Sequence, residues 1–328
     1  MLFLHGLGHF HPENVITNHF LEELDIGTSN EWVLERVGIR ERRTSLDLAY
    51  IRETRNRDPR AAREASRYGN AQTGAAAARQ ALAQAGIGAA DIGLVISGSS
   101  APDHVTPSEA ATVAAELDIE APCLDINAAC ATFGVQLVFL DRMKPETLPP
   151  FILVVNPENL TRCIDYSDRN TAVLFGDGST AAVLSATEPA GLRLLAGDCA
   201  SKPAAWQKAI IPRTGYFQQE GNAVQGFAIR KMTEAVRTFQ TLRKGRRPPR
   251  LIFIGHQANL SILNTVCERA SIPDDCHWRN VTMFGNTGCS GAPAVLSQHR
   301  QELRRGDRLI MALVGAGLTW ATLIWQMS

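Results

Sequence analysis

Two stretches of this chain echo each other and lead into matching turns. "LVISGSS", near residue 97, is matched by "IFIGHQA" near residue 254. Roughly thirty residues further on in each case, a turn of small residues enters a helix: "NAACATFG" at Cys130 and "GNTGCSGAPA" at Asn286. Each half then closes on what reads as a glycine-punctuated pair of strands, "FGDGSTAAVL" and "VGAGLTWATL". No long Pro/Gly/Ser linker separates the halves. Such a chain is expected to pack as one unit built twice, residues 1–189 carrying the first turn and 190–328 the second, with an Arg-rich insertion at about 44–70.

Within the halves, helical and strand periods alternate. Residues 2–7 read as a strand and "NHFLEELDIGTSNEWVLERVG" as a broken helix. Residues 75–86 form a helix stopped by glycine, followed by a strand over 92–98. "SEAATVAAELD" reads as helix and "PCLDIN" as strand. From 131 to 143 apolar residues lie almost all round the helical pattern, which predicts a helix buried on every side. "FILVVN" is a strand, and "TAVLFGDGSTAAVLSA" reads as two strands joined at Gly-Asp-Gly. Val224, Phe227, Met232, Val236 and Phe239 mark a long amphipathic helix, and "LIFIG", "RLIMALVG" and "LTWATLIW" supply later strands. The expected class is α/β with a mixed sheet.

Composition narrows the function. The 328 residues balance 33 basic against 33 acidic side chains, so no global charge points to nucleic acid or an anionic membrane. No apolar run approaches the roughly 20 residues that span a bilayer. The N-terminus lacks the charged region and cleavage site of a signal peptide. Seven scattered cysteines without C-x-x-C pairing favour reduced thiols, hence a cytoplasmic protein. Residues 36–70 hold ten arginines against five acids, either a solvated face or a basic rim that steers anionic substrates. His5, His9 and His11 stand close together without an acidic companion, a structural rather than metal-binding pattern. No metal or redox cofactor is expected.

Cys130 opens a helix after a short strand. A thiol there feels the positive end of the helix dipole, so its pKa is expected to fall, and small neighbours let a carbonyl approach. His256 ends a strongly apolar strand, where α/β folds present ligands and catalysts. Asn286 sits in a glycine-rich turn equivalent to that of Cys130. Taken singly, each has an ordinary structural explanation. Brought together by the repeat, they offer a nucleophile, a proton carrier and a neutral donor, a set suited to acyl-thioester chemistry.

In "TSNEWVLERVGIRERR", "DINAACATFG", "SDRNTAVLFGDGSTAAVL", "GHQANLSIL", "FGNTGCSGAPAVL" and "GAGLTW", the chain resembles the β-ketoacyl-acyl-carrier-protein synthase III family of the thiolase superfamily, in order and over nearly its whole length. The resemblance implies a duplicated five-layer αβαβα fold with two mixed five-stranded sheets, assembled as a homodimer. It implies Cys130 as the acylated nucleophile, His256 and Asn286 assisting decarboxylative condensation, and backbone N–H groups of Cys130 and Ala316 as oxyanion hole. Acyl-CoA would be the first substrate and a malonyl thioester, on acyl carrier protein, the second, with no permanently bound cofactor. Trp32 and Arg169 would sandwich the adenine, Arg36 and Thr28 meet the nucleotide end, and Asn222, Ala258 and Asn259 line the pantetheine arm.

Three departures from the family pattern stand out. Ser261 replaces an arginine implicated in carrier docking, for which the cluster at 243–250 is a substitute or merely an exposed helix end. Thr106 replaces a phenylalanine at the acyl pocket, which suggests room for a longer or bulkier acyl group. The Arg-rich segment is long, which suggests a specialised member serving secondary metabolism. Among alternatives, a two-cysteine thiolase lacks its second cysteine in "VGAGLTW", and a papain-like hydrolase does not fit the duplication. A non-catalytic partner subunit would lose the triad that is present here. Acyl transfer or non-decarboxylative condensation with an alcohol, amine or β-ketoacyl acceptor remains open, because acyl-enzyme formation is shared.

Overall fold

In the computed structural model, which describes residues 1–241 and 249–328, nine strands form one hydrogen-bonded sheet. Of the basic cluster 243–250, residues 243–248 lie outside the described residues. The strands are β1 (Phe3–Phe10), β2 (Ile92–Ser97), β3 (Cys123–Asp125), β4 (Phe151–Glu158), β5 (Gly178–Ser185), β6 (Leu192–Ser201), β7 (Leu251–Gly255), β8 (Arg308–Gly315) and β9 (Thr319–Met327). The principal helices are α1 (Asn30–Val37), α2 (Asn70–Ala85), α3 (Glu109–Glu116), α4 (Thr132–Asp141), α5 (Gly221–Thr241), α6 (Leu260–Ala270) and α7 (Gly291–His299).

The sheet order is β7-β8-β9-β6-β1-β5-β4-β2-β3. Read outward from the centre, each block runs first, last, fourth and second strand, with matching parallel and antiparallel pairings. In the first block β3 completes the edge, parallel to β2. In the second, only the parallel bridge Phe253–His277 occupies that place. Two five-stranded sheets are therefore not what forms. Phe3 and Leu4 of β1 pair with Arg193 and Leu192 of β6, which joins the blocks. The fifth member of the second block is cut short by Pro273 and the tight turn Asp274–Cys276.

Strand alternation creates the layers. In β8, Leu309, Met311 and Leu313 enter a central core, while Ile310, Ala312 and Val314 face a second cluster with α5 and α6. In β4, Ile152 and Val154 face the same central core, and Leu153 and Val155 pack under α2 and α3. The central core also takes Phe133, Leu137 and Leu140 from α4 and Val295 and Leu296 from α7. The result is the five-layer αβαβα arrangement. The all-round apolar pattern of 131–143 thus belongs to a helix held between the two blocks, with Phe139 in its last turn and Met143 just beyond its end reaching the exterior.

One sequence reading fails here, and one strand has no reading at all. "TAVLFGDGSTAAVLSA" contains one strand, β5, preceded by the short helix Arg169–Ala172. The Gly-Asp-Gly is no hairpin turn, because the buried Asp177 carboxylate accepts from Ser45 N and Oγ and from Thr161 N and Oγ1, which anchors the segment inward. Strand β6 escaped notice because "LRLLAGDCAS" carries little apolar alternation.

The Arg-rich segment folds with residues 14–37 and 160–175 into a cap around Ile16, Phe20, Val33, Ile51 and Phe175. Several of its arginines are taken internally. Arg42 is fully buried, donating to Val173 O and Asn18 Oδ1, while Arg52 and Arg67 pair with Glu23 and Glu13. Arg57, Arg60 and Arg63 of the same segment are exposed.

Candidate active site

The turns that enter the two central helices bring Cys130 and Asn286 to one place. Cys130 lies between β3 and α4, in a backbone forced tight by Ala129 at φ +49°. Ala129 N donates to Asn127 Oδ1 and Thr132 Oγ1 to Ala129 O, which ties the turn to the first residue of α4. β8 ends against it. A Cβ at Gly315 would lie 2.4 Å from Ala128 O and 3.0 Å from Cys130 N, so only glycine lets that strand end, and Ala316 beyond it, approach the thiol.

Asn286 precedes α7. Its amide oxygen accepts from Gly288 N at 3.0 Å, which leaves the NH2 as the group available to a ligand. His256 follows β7 and is 7% exposed, its backbone N–H donating to Ala312 O. The neighbouring Gln257 is fully buried and accepts from Asn280 N and Val281 N, bracing the turn.

Cys130, His256, Asn286 and Ala316 share the wall of one cavity of about 350 Å³, and Trp32, Arg36, Asn222, Ala258 and Asn259 line the same cavity. Arg36 is the single ionised side chain among its described wall residues. Asn259 caps α6, its Oδ1 accepting from Ile262 N, which leaves its NH2 for a ligand. The guanidinium carbons of Arg36 and Arg169 lie 4.7 and 5.2 Å from the Trp32 ring centroid. Arg169 is held by Gly27 O and, like Thr28, stands outside the cavity wall; the Thr28 hydroxyl is enclosed without a partner among the described residues. Ser261 Oγ donates to Arg36 O, fastening α6 to the end of α1.

A second cavity, of about 120 Å³, opens beside Cys130 between Leu160, Phe175, Ile210, Ile211 and Phe217. Thr106 is not in its wall. It lies on an exposed loop lining a chamber of about 620 Å³, whose wall shares Ser100, Asn127 and Ile211 with the smaller cavity. The histidines in and just after β1 have separate partners: His5 at Glu188 O, His9 at Ser297, and His11 stacked on Phe284.

Electrostatics correct one expectation. The Cys130 thiol is not acidified. Burial, reinforced by the nearby Glu158 carboxyl, pushes it up to about 12. The helix dipole is outweighed because burial of the sulfur and the nearby acid both disfavour the thiolate. Burial also lowers His256 to about 4, so its ring is neutral at physiological pH. Sequence reading missed Glu158 altogether. An acid directly after the apolar run "FILVV" and two further residues was the available signal, since such a group must be satisfied inside.

Profiles of the 3-oxoacyl-[acyl-carrier-protein] synthase III family match residues 124–203, and those of its C-terminal region match 251–327. The β-ketoacyl-[acyl-carrier-protein] synthase III of Aquifex aeolicus is 32% identical over 326 residues, covering 97% of each chain. The chain belongs to the synthase III family. Among solved structures, a 3-oxoacyl-[acyl-carrier-protein] synthase III of Aquifex aeolicus superposes with a TM-score of 0.86 at 29% identity, covering 99% of this chain and 100% of that one. The Pseudomonas aeruginosa synthase III gives 0.84 at 29%, covering 99% and 98%. The synthase III fold thus accounts for 99% of the chain, and the thiolase-like assignment of the fold holds.

Proposed function

We propose that this chain is a condensing acyltransferase of the 3-oxoacyl-acyl-carrier-protein synthase III type, acylated on Cys130 and then extending the acyl group with a malonyl thioester. The observation that carries the reading is the shared cavity: Cys130, His256, Asn286 and Ala316 at one place in it, and Trp32, Arg36, Asn222 and Asn259 along the same wall. Family membership supports it.

In the first half-reaction the Cys130 sulfur attacks the carbonyl carbon of an acyl-CoA. The N–H groups of Cys130 and Ala316 hold the oxyanion. The thiol proton passes through neutral His256 to the departing CoA sulfur. The acyl chain then occupies the apolar cavity by Phe175 and Phe217. Trp32, Arg169, Arg36 and Thr28 take the nucleotide, and Asn222, Ala258 and Asn259 the pantetheine.

In the second, the malonyl C–CO2 bond breaks and its electron pair moves into the thioester as an enolate. The His256 N–H and Asn286 NH2 donate to that oxygen. The carbanion attacks the acyl carbon, the S–C bond to Cys130 breaks, and the departing thiolate takes a proton from solvent water. Neutral donors suit this step. A cation beside the malonyl carboxylate would stabilise the ground state whose charge has to leave as carbon dioxide.

The second substrate is carried on acyl carrier protein, and the working unit is a cytoplasmic homodimer of two-half subunits, 1–189 and 190–328. The free state of all seven thiols supports the compartment. No resident cofactor is required by these steps. Intact mass spectrometry with a panel of acyl thioesters tests the reading: a Cys130-dependent acyl increment is expected, and an increment that persists in Cys130→Ala refutes it. Carbon dioxide release from a malonyl thioester separates condensation from simple acyl transfer to an alcohol, amine or β-ketoacyl acceptor.

A further inference from the structure

Behind Cys130, at the end of β4, Glu158 is completely buried, yet no arginine or lysine pairs with it among the described residues. Its carboxyl accepts five hydrogen bonds. From the first half come Ser99 Oγ at 3.2 Å, Ser100 N at 3.0 Å and Ser100 Oγ at 2.8 Å. From the second come Cys289 N at 3.2 Å and Cys289 Sγ at 3.0 Å. One oxygen takes the Ser100 N–H and the other the Cys289 N–H, so the group bridges two backbone turns that belong to different halves.

Each turn continues to a reacting group. On one side Ser99 O accepts from Asn127 Nδ2 at 2.9 Å, and Asn127 Oδ1 accepts from Ala129 N, next to Cys130. On the other, the Cys289 N–H held by Glu158 follows Gly288, whose N–H fixes the Asn286 amide oxygen. Gly288 has φ +59°, and a Cβ there would lie 2.5 Å from Glu158 Oε1, so the turn rests directly on the carboxyl. The two arms are unequal. The Cys130 turn has its own tie through Thr132 Oγ1, which accepts from Ala128 N and donates to Ala129 O. The Gly288–Cys289 turn leans on Glu158.

We propose that Glu158 is a positioning residue for the condensation step, its carboxyl setting the Asn286 amide in register with Cys130 by clamping the Ser99–Ser100 turn to the Gly288–Cys289 turn. This rests on the condensing reading above and assigns a function to a group that touches no substrate. A carboxyl is needed because it presents an acceptor to both backbone N–H groups. A carboxamide presents its NH2 to one of them. Burial holds the acid above the ordinary carboxylate range, and the serine and cysteine side chains, able to accept as well as donate, accommodate the protonated form.

Glu158→Gln, Gly288→Ala and Cys289→Ala, each checked for folding by circular dichroism and thermal melting, separate the cases. Acylation is read by intact mass and decarboxylation by carbon dioxide release. In Glu158→Gln, kcat for carbon dioxide release should fall about 10- to 30-fold, less than the roughly 100-fold or more expected from losing a donor outright. Acylation rate and the KM for the malonyl thioester should stay within about threefold, because the Cys130 turn keeps its tie through Thr132 Oγ1 and the hydrogen bonds of Glu158 go to Ser99, Ser100 and Cys289 rather than to the cavity-lining Trp32, Arg36, Asn222 and Asn259. Gly288→Ala should show the same split, and it decides the matter if Glu158→Gln does not fold. Cys289→Ala keeps the N–H and should lose less than about threefold. In an Asn286→Ala background Glu158→Gln should add less than about threefold, since its effect runs through that amide. Equal losses in acylation and decarboxylation, additive losses with Asn286→Ala, or a Cys289→Ala loss as large as that of Glu158→Gln would overturn the proposal. Wild-type protein that acylates without releasing carbon dioxide would instead defeat the condensing reading itself.

Discussion

Cys130 and His256 titrate in opposite directions, and burial is the leading cause for both. A thiol pushed up to about 12 beside an imidazole lowered to about 4 does not rest as a thiolate–imidazolium pair. Alkylation of Cys130 by iodoacetamide should therefore climb about tenfold per pH unit up to pH 9, the thiolate fraction rising with pH. A plateau near pH 6 to 7 would show that the pair does form. The neutral donor role proposed for His256 has the opposite limit. It is complete above the lowered pKa and lost as pH falls through it, so carbon dioxide release should be flat across neutral pH and decline only towards pH 4. At the same scale, Asn286→Ala and His256→Ala should each cost about 100-fold or more in decarboxylation. Cys130 acylation should survive in Asn286→Ala, measured by intact mass.

Elements place these residues by close approach more than by propensity. Helix α1 carries Trp32 and Arg36, and Ser261 Oγ holds its last turn through Arg36 O. The residue that departs from the family's arginine is thus a tie between two elements of the cavity wall. Ser261→Ala should loosen α1 by about 1 kcal/mol and raise the KM for acyl-CoA several-fold with kcat unchanged, as steady-state kinetics would show. A fall in kcat at constant KM would contradict that role. The end of β8 behaves differently. Gly315→Ala would drive a methyl into Ala128 O, displacing the Cys130 turn and both proposed oxyanion donors, so acylation itself should collapse by about 100-fold or more in a protein that still folds.

Across the whole molecule, one core belongs to both halves. Leu137 of α4 is fully buried among side chains of β4 and β8, from opposite blocks of the sheet. Leu137→Ala should destabilise by about 2–5 kcal/mol and lower the midpoint of a single cooperative unfolding transition. Two separated transitions in denaturant would mean that the halves unfold independently. The pairing of β1 with β6 works in the same direction, since it leaves no free strand edge between the blocks.

Much of this was already legible along the chain. The repeat, the strand and helix periods, the buried character of α4 and the turns at Cys130, His256 and Asn286 are all local signals, because periodicity and turn chemistry are set within a few residues. Local chain chemistry settles which residues stand at the strand ends and helix starts that face one another. The acidity of Cys130, by contrast, comes from three-dimensional packing, since desolvation depends on what encloses the sulfur. Such packing alone joined two blocks into one sheet, through two residue pairs with no pattern to announce them. It also brought Glu158 against Cys289, 131 residues away in sequence. A buried carboxyl between two turns leaves no periodicity to read, because its partners are backbone N–H groups, which every sequence has.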